Sequence, residues 1–196
     1  MNCLNNFTTL SKAEIEKIHS KYMINDFPKA ELKSLNHMSK LIDEKKYTNK
    51  CLFSKENELM AYAFFGYPKE NSLCPLLDFF AVNSKYRNQG IGSQFLNMLK
   101  SESSTFKNGI LAEIEDPKSA KNEEEKEIRL KRAEFYKKNG FITTNIKSTC
   151  FGVSFLIIYL PKENCLSEDE LFQNLINAYK ALFPKSDFEK NIKVTK

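Results

Sequence analysis

Arg87-Asn88-Gln89-Gly90-Ile91-Gly92-Ser93 joins two segments of different periodicity. Before it, Leu76-Leu77-Asp78-Phe79-Phe80-Ala81-Val82 is an almost continuous apolar run of strand length. After it, Phe95, Leu96 and Leu99 recur at helical spacing. A loop carrying two glycines therefore links a strand end to a helix start. The first amides of a helix have no intrahelical acceptor, and the helix dipole makes that end positive. Glycine lets the backbone come close to a ligand. The backbone amides of Arg87, Asn88, Gln89, Gly90, Ile91, Gly92 and Ser93 are thus predicted to hold phosphate oxygens.

Two familiar phosphate loops are excluded by composition. A dinucleotide loop needs a third glycine where Phe95 stands, and no Gly-Lys-Ser or Gly-Lys-Thr occurs. What remains is Arg-x-x-Gly-x-Gly after a strand, which also serves as a plain strand-to-helix turn. A second segment, Arg132 to Phe141, reads Arg-Ala-Glu-Phe-Tyr-Lys-Lys-Asn-Gly-Phe. Asn139-Gly140 is a helix stop, because both residues tolerate the left-handed conformation of a C-cap.

Read outward, the chain gives two helices, three strands, a helix, a strand, a helix, two strands and a helix. Ser11-Lys12-Ala13-Glu14 is a capping box opening a helix with Ile15, Ile18 and Tyr22 on one face. A second helix is expected after Phe27-Pro28, with Leu32, Leu35, Met38 and Ile42 inward. Strands are predicted at 50–54, 59–67, 76–82, 110–115, 141–145 and 152–160. A second capping box, Ser167 to Glu170, starts a last helix with Leu171, Leu175, Tyr179 and Leu182 in one stripe. The polar tail after Pro184 is expected to fray. Strands joined by short turns should be antiparallel, and the pair joined through the third helix parallel. The fold class is α/β, a mixed sheet with helices on both faces and an extra C-terminal helix. Residues 1–165 form the main domain, with 166–196 packed on it or appended to it.

Composition bounds the function. The 196 residues suffice for one core, and 41% hydrophobic with 28% charged is ordinary for a soluble globular chain. The apolar run Phe155 to Leu160 is far too short to span a bilayer, and no secretory signal opens the chain. Five scattered cysteines (Cys3, Cys51, Cys74, Cys150, Cys165) and two histidines argue against a zinc site or a disulfide framework. A cytoplasmic location and no metal are expected. A net charge of +5 is too mild to argue for nucleic acid, but suits an anionic coenzyme. Lys45, Lys46 and Lys50 around Tyr47 are diluted by Asp43 and Glu44 and read as a solvated turn.

The glycine loop after its strand, followed in order by Phe135-Tyr136, polar residues and Gly140-Phe141, resembles the two signatures of the GNAT superfamily of acyl-CoA N-acyltransferases. The resemblance covers roughly residues 6 to 160. It implies an N-acetyltransferase that moves an acetyl group from acetyl-CoA to a primary amine by direct attack. It also implies that the strand carrying Phe80, Ala81 and Val82 splays from its neighbour, so that free backbone groups pair with the pantetheine arm. Tyr136 would then face the coenzyme sulfur. A phenol with pKa about 10 is protonated at neutral pH and suits the general acid for a departing thiolate. The resemblance further implies a glutamate base in the strand before Asp116. Ala112-Glu113-Ile114 fits that setting, with Glu115, Asp78 or water as alternatives. The stretch between Asp116 and Tyr136 is longer and more acidic than the family pattern, so no role is carried to Asn122.

The acceptor is a small-molecule or protein amine, with neither nucleic acid nor membrane as partner and a monomer or homodimer as the assembly. The competing readings are a non-catalytic acyl-CoA-binding sensor of the same fold and, more weakly, a nucleotide- or RNA-binding α/β protein. Aromatics at Tyr22, Phe27, Tyr62 and Phe64 either line a pocket or fill the core.

Overall fold

The structure is a computed structural model describing residues 6–29, 31–67, 73–102 and 106–196. Cys3 lies outside the described residues. In chain order the elements are β1 (Asn6–Thr8), α1 (Lys12–Ile18), α2 (Ile24–Asp26), α3 (Leu35–Asp43), β2 (Tyr47–Phe53), β3 (Leu59–Gly66), β4 (Leu76–Val82), α4 (Ile91–Ser101), β5 (Ile110–Glu115), α5 (Glu123–Lys138), β6 (Ile142–Cys150), β7 (Val153–Leu160), α6 (Glu168–Leu182), α7 (Lys185–Asn191) and β8 (Ile192–Thr195). The strands form one sheet in the order β1-β2-β3-β4-β5-β7-β6-β8. Its one parallel pair is β4 with β5, joined through α4 as a crossover requires. The mixed α/β sheet expected from the sequence is the fold observed.

Alternation along the central strands divides the core into two layers. Tyr62, Phe64, Leu111, Ile157 and Tyr159 face α1, α3 and α6. Ala61, Ala63, Phe65, Ala112, Ile158 and Leu160 face α4 and α5, meeting Phe95, Leu96, Leu99 and Tyr136.

The sheet opens at one place. Phe64 pairs with Phe79 but Phe65 pairs with Leu77, so Asp78 is an extra residue on β4. Such a bulge bends its strand and puts two consecutive side chains on one face. Phe79 joins the layer under α1, α3 and α6, and the Asp78 carboxylate reaches Tyr47 in that same layer. On its other edge β4 pairs with β5 only at Leu76–Leu111 and Leu77–Ala112. The two strands therefore part at the bulge.

Four sequence expectations are corrected. The first helix widens into a π-helical turn, His19–Met23, whose extra residue swings Met23 rather than Tyr22 fully inward. The second begins only at Leu35, where the Ser34 hydroxyl accepts from the His37 amide, so Leu32 stays in the connector. Strand β6 runs on to Cys150 and turns through Phe151 and Gly152, both at positive φ, a two-residue hairpin that twists with the sheet. The tail is not frayed. It forms α7 and then β8, whose residues from Ile192 to Thr195 add to the free edge of β6.

Helix α6 is part of the core, burying Leu171, Leu175, Ala178, Tyr179 and Leu182. Its Asn174 side chain accepts from the amides of Leu73 (2.7 Å) and Cys74 (3.3 Å) and donates to the Cys74 carbonyl (2.8 Å). This clamps α6 to the chain entering β4. Asn174→Ala removes these three hydrogen bonds at a cost of about 1–3 kcal/mol. A melting point lowered by about 2–10 °C is expected in thermal denaturation followed by circular dichroism.

Candidate active site

The loop before α4 is held open by backbone conformation. Asn88 (φ 61°) and Gly90 (φ 77°) both take left-handed dihedrals, and Gly90 stands at the N-cap. No side chain caps this end, and a Cβ on Gly90 would meet nothing within 4 Å. Glycine is needed there for its φ, not for space. Arg87 is a partial correction, because its own amide donates to the Ser84 carbonyl at 3.3 Å. Among the described residues, the amides of Asn88, Gln89, Gly90, Ile91, Gly92 and Ser93 meet no protein acceptor. Successive amides that turn through αL residues onto a helix tip form an anion cradle. A diphosphate therefore fits this feature.

Two side chains of the loop are occupied elsewhere. The Arg87 guanidinium donates to Val82 O and to Asp26 Oδ1, both at 2.9 Å, and Asp26 Oδ2 accepts from the Tyr62 hydroxyl. That side chain ties α2 to the end of β4 and is not directed at the cradle. Gln89 donates to the Lys85 carbonyl at 2.9 Å.

Gly92 answers a different need. A Cβ there would lie 3.0 Å from the Phe135 ring and 3.4 Å from Val82 Cγ2. Phe135 in turn stacks on Phe80 at 6.3 Å between centroids. The helix tip, the β4 end and α5 thus meet around one glycine.

Beside this contact, Tyr136 sits edge-on between Phe135 (5.3 Å) and Phe141 (5.0 Å). It shares its layer with Leu77 and Ala112, the last paired residues of β4 and β5, and with Ile91 at the α4 tip. Burial pushes its phenol up to about 12, slightly opposed by the Arg132 charge. The hydroxyl has no protein partner among the described residues, yet it is not a sealed, unsatisfied atom.

Glu113 lies on the other face of the sheet, because it alternates with Ala112 and Ile114. Its Oε1 accepts from the Ser148 hydroxyl at 3.0 Å and from the Tyr179 hydroxyl. Both of these hydrogen bonds fall on Oε1, and Oε2 is not among the sealed buried atoms without a partner. Burial raises its pKa above the usual carboxylate range; the two hydroxyl donors oppose this, Asp78 adds to it and Lys33 opposes it.

The two rival carboxylates are already engaged. Asp78 takes Lys33 Nζ on both oxygens at 2.8 Å and also the Tyr47 hydroxyl. The Lys33 ammonium lies over the rings of Phe79 (5.2 Å) and Phe183 (4.9 Å). Glu115 is paired with Arg129 (3.4 Å) and with Arg132 from α5. Asn122 caps α5 by accepting the Glu125 amide at 2.8 Å. Lys33, Ser148 and Tyr179 were missed from sequence. Only the lone acid Asp78 inside an apolar strand signalled that a polar cluster lay there.

Glu113 and Tyr136 therefore do not touch. They flank, from opposite faces, the point where β4 and β5 part. A donor lying along the α4/α5 face and an amine arriving on the other face would meet through that gap.

Comparison with known proteins agrees with this fold. Residues 48–143 match the acetyltransferase (GNAT) domain family. The ribosomal-protein-S18-alanine N-acetyltransferase from Escherichia coli superposes with a TM-score of 0.60 at 16% identity, covering 84% of this chain and 98% of that one. A mutant spermidine N-acetyltransferase from Vibrio cholerae gives 0.62 at 11% identity, covering 86% and 99%. A dodecameric structure of the Vibrio cholerae enzyme gives 0.59 at 10%, covering 82% and 95%. No curated protein sequence matches the chain. The domain match and the shared fold support the GNAT superfamily of acyl-CoA N-acyltransferases as the family of this chain. Among the described residues, no group of three or more His, Cys, Asp or Glu is placed to hold a metal ion, and no helix is long and apolar enough to cross a membrane.

The wedge at Gly92 is directly testable. Gly92→Ala makes the half-buried Phe135 ring give by a few tenths of an ångström, while alanine favours the helix by about 1 kcal/mol, so the two effects offset and urea-unfolding stability should change by no more than about 1 kcal/mol. Adding Phe135→Leu removes the contact, so the double variant should be more stable than the sum of the single changes.

Proposed function

We propose that the protein is an acetyl-CoA-dependent N-acetyltransferase acting on a primary amine. The observation that carries this is the coincidence of three features: an uncapped α4 tip, a β4 edge left without a neighbour from Asp78 onward, and Tyr136 beside both. The amides of Asn88 to Ser93 hold the diphosphate. The open edge of β4, through Phe80 and Ala81 toward Val82, aligns the pantetheine arm. Bound in this way, acetyl-CoA supplies an activated acyl group as a thioester.

Each side chain then has one task. An alkylamine is mostly ammonium at neutral pH, with a pKa about 10.4. Glu113 takes one of its protons, directly or through a water, and its raised pKa makes it a stronger base than a free carboxylate. Asp78 and Glu115 are less suited, because cations and the Tyr47 hydroxyl already hold them. The amine attacks the thioester carbonyl from the α1/α3/α6 face. The C–S bond breaks as the tetrahedral adduct collapses, Tyr136 gives its proton to the departing thiolate, and the second proton shed by the new amide nitrogen restores the phenol. A phenol held near 12 remains protonated throughout the neutral range, so its proton is in place when the thiolate leaves.

The acceptor is a small-molecule or protein amine. The structural neighbours span both classes, since one is named for an alanine of a ribosomal protein and another for spermidine. A panel of polyamines, amino acids, aminoglycosides and N-terminal peptides, read by release of free CoA thiol, tests the proposal. At least one amine should turn over. Release from none, with coenzyme A still bound, would contradict it. With the best acceptor, Tyr136→Phe should lower kcat about 10²- to 10⁴-fold while leaving the calorimetric affinity for coenzyme A nearly unchanged. An unaltered kcat removes Tyr136 from the reaction.

A further inference from the structure

Outside the cradle and the gap, the densest polar arrangement is a triangle of oxygens beneath α6. The Tyr179 hydroxyl touches Glu113 Oε1 and lies 2.8 Å from Ser148 Oγ, and Ser148 Oγ lies 3.0 Å from the same Glu113 oxygen. Tyr179 is 1% exposed and Ser148 3% exposed, so both hydroxyls are withdrawn from bulk solvent. We propose that Tyr179, carried by the C-terminal helix, is a positioning residue for the general base: it fixes Glu113 in its ionised form with Oε1 bound and Oε2 turned free for the amine or its relay water. This rests on Glu113 being the base.

Hydrogen bonding to Oε1 favours the ionised form. Oε1 accepts from two hydroxyls, those of Ser148 and Tyr179, and donors to a carboxylate oxygen stabilise its charge. Burial, with Glu113 beside it, keeps the Tyr179 phenol far above its ordinary pKa, so it stays a donor at every working pH. Asp78 on β4, Lys33 on the α2–α3 connector and Cys150 on β6 also face this carboxylate. Lys33 and Asp78 are paired with each other, which leaves the two hydroxyls as its hydrogen-bond donors among the described residues.

The helix that supplies Tyr179 is firmly seated. A capping box at Ser167 and Glu170 starts it, Asn174 clamps its middle, and Leu175, Ala178 and Leu182 are buried around the tyrosine. It also lies wholly beyond residues 48–143, the stretch that matches the GNAT domain. A segment outside the matched domain thus reaches the reaction's proton acceptor.

Tyr179→Phe keeps the ring and deletes the donor, and thermal denaturation confirms that the variant folds. Carbon-13 carboxyl resonances are followed with pH in wild type and in Tyr179→Phe, with Glu113→Gln identifying the Glu113 signal. The Glu113 pKa should rise by about one unit, because a donor that favoured the ionised form is gone. Ser148→Ala should move it the same way. With the fastest amine of the panel, the acid limb of kcat/KM should shift upward equally in Tyr179→Phe, and activity should return toward wild type at alkaline pH. A tyrosine serving only packing would lower activity at every pH and leave the limb in place. An unmoved Glu113 titration, or an unmoved limb, overturns the proposal. If instead Glu113→Gln keeps the wild-type profile, the assignment of Glu113 as base fails, and that result is separate.

Discussion

One extra residue in β4 shapes the site. Strands stay paired while their residues match one to one. Asp78 breaks that count against β3, and β4 bends away from β5 at the next position. The bend leaves backbone donors and acceptors without a strand beside them in the middle of a sheet. An open edge of this kind is costly unless something fills it. A ligand with amide groups of its own is the natural occupant, and the α4 tip stands beside the opening to hold that ligand's charged end.

The same divergence explains why the candidate residues sit on two faces. Tyr136 belongs to the α4/α5 layer and Glu113 to the layer under α1, α3 and α6. In an intact sheet, two side chains on opposite faces cannot act on one bond. Where the strands part, the sheet no longer separates them. In the proposed reaction acid and base would approach from opposite sides, so proton removal from the amine and proton delivery to the leaving group need not compete for one position. Lys33, Asp78 and Tyr47 close the floor on the Glu113 side, and the hydrogen bonds of Glu113 fall on Oε1.

Much of this was legible in the chain. The loop from Arg87 to Ser93, the apolar strand before it and the Tyr136 to Phe141 helix end are local patterns, carried by glycine conformations and helix periodicity. The bulge was not legible, because it is a mismatch in count between β3 and β4 and leaves no mark on the pattern of either strand alone. Tyr179 was read as one more member of an apolar stripe, since periodicity reports which face is buried and not what a buried hydroxyl touches. Its partner Glu113 is 66 residues away. The tail was misjudged for a similar reason. The stretch from Ile192 to Thr195 alternates apolar and polar residues over only four positions, too short to be a strand by itself, and becomes one because the edge of β6 is there to receive it.

The central claim is that a coenzyme's diphosphate sits on the uncapped α4 tip while its arm completes the open edge of β4. A crystal structure with coenzyme A bound measures this directly. The account predicts diphosphate oxygens within hydrogen-bond distance of amides between Asn88 and Ser93, and pantetheine amides paired with β4 beyond Leu77. Coenzyme A bound away from that tip, or β5 closing onto β4 past Asp78 with the ligand present, would contradict it.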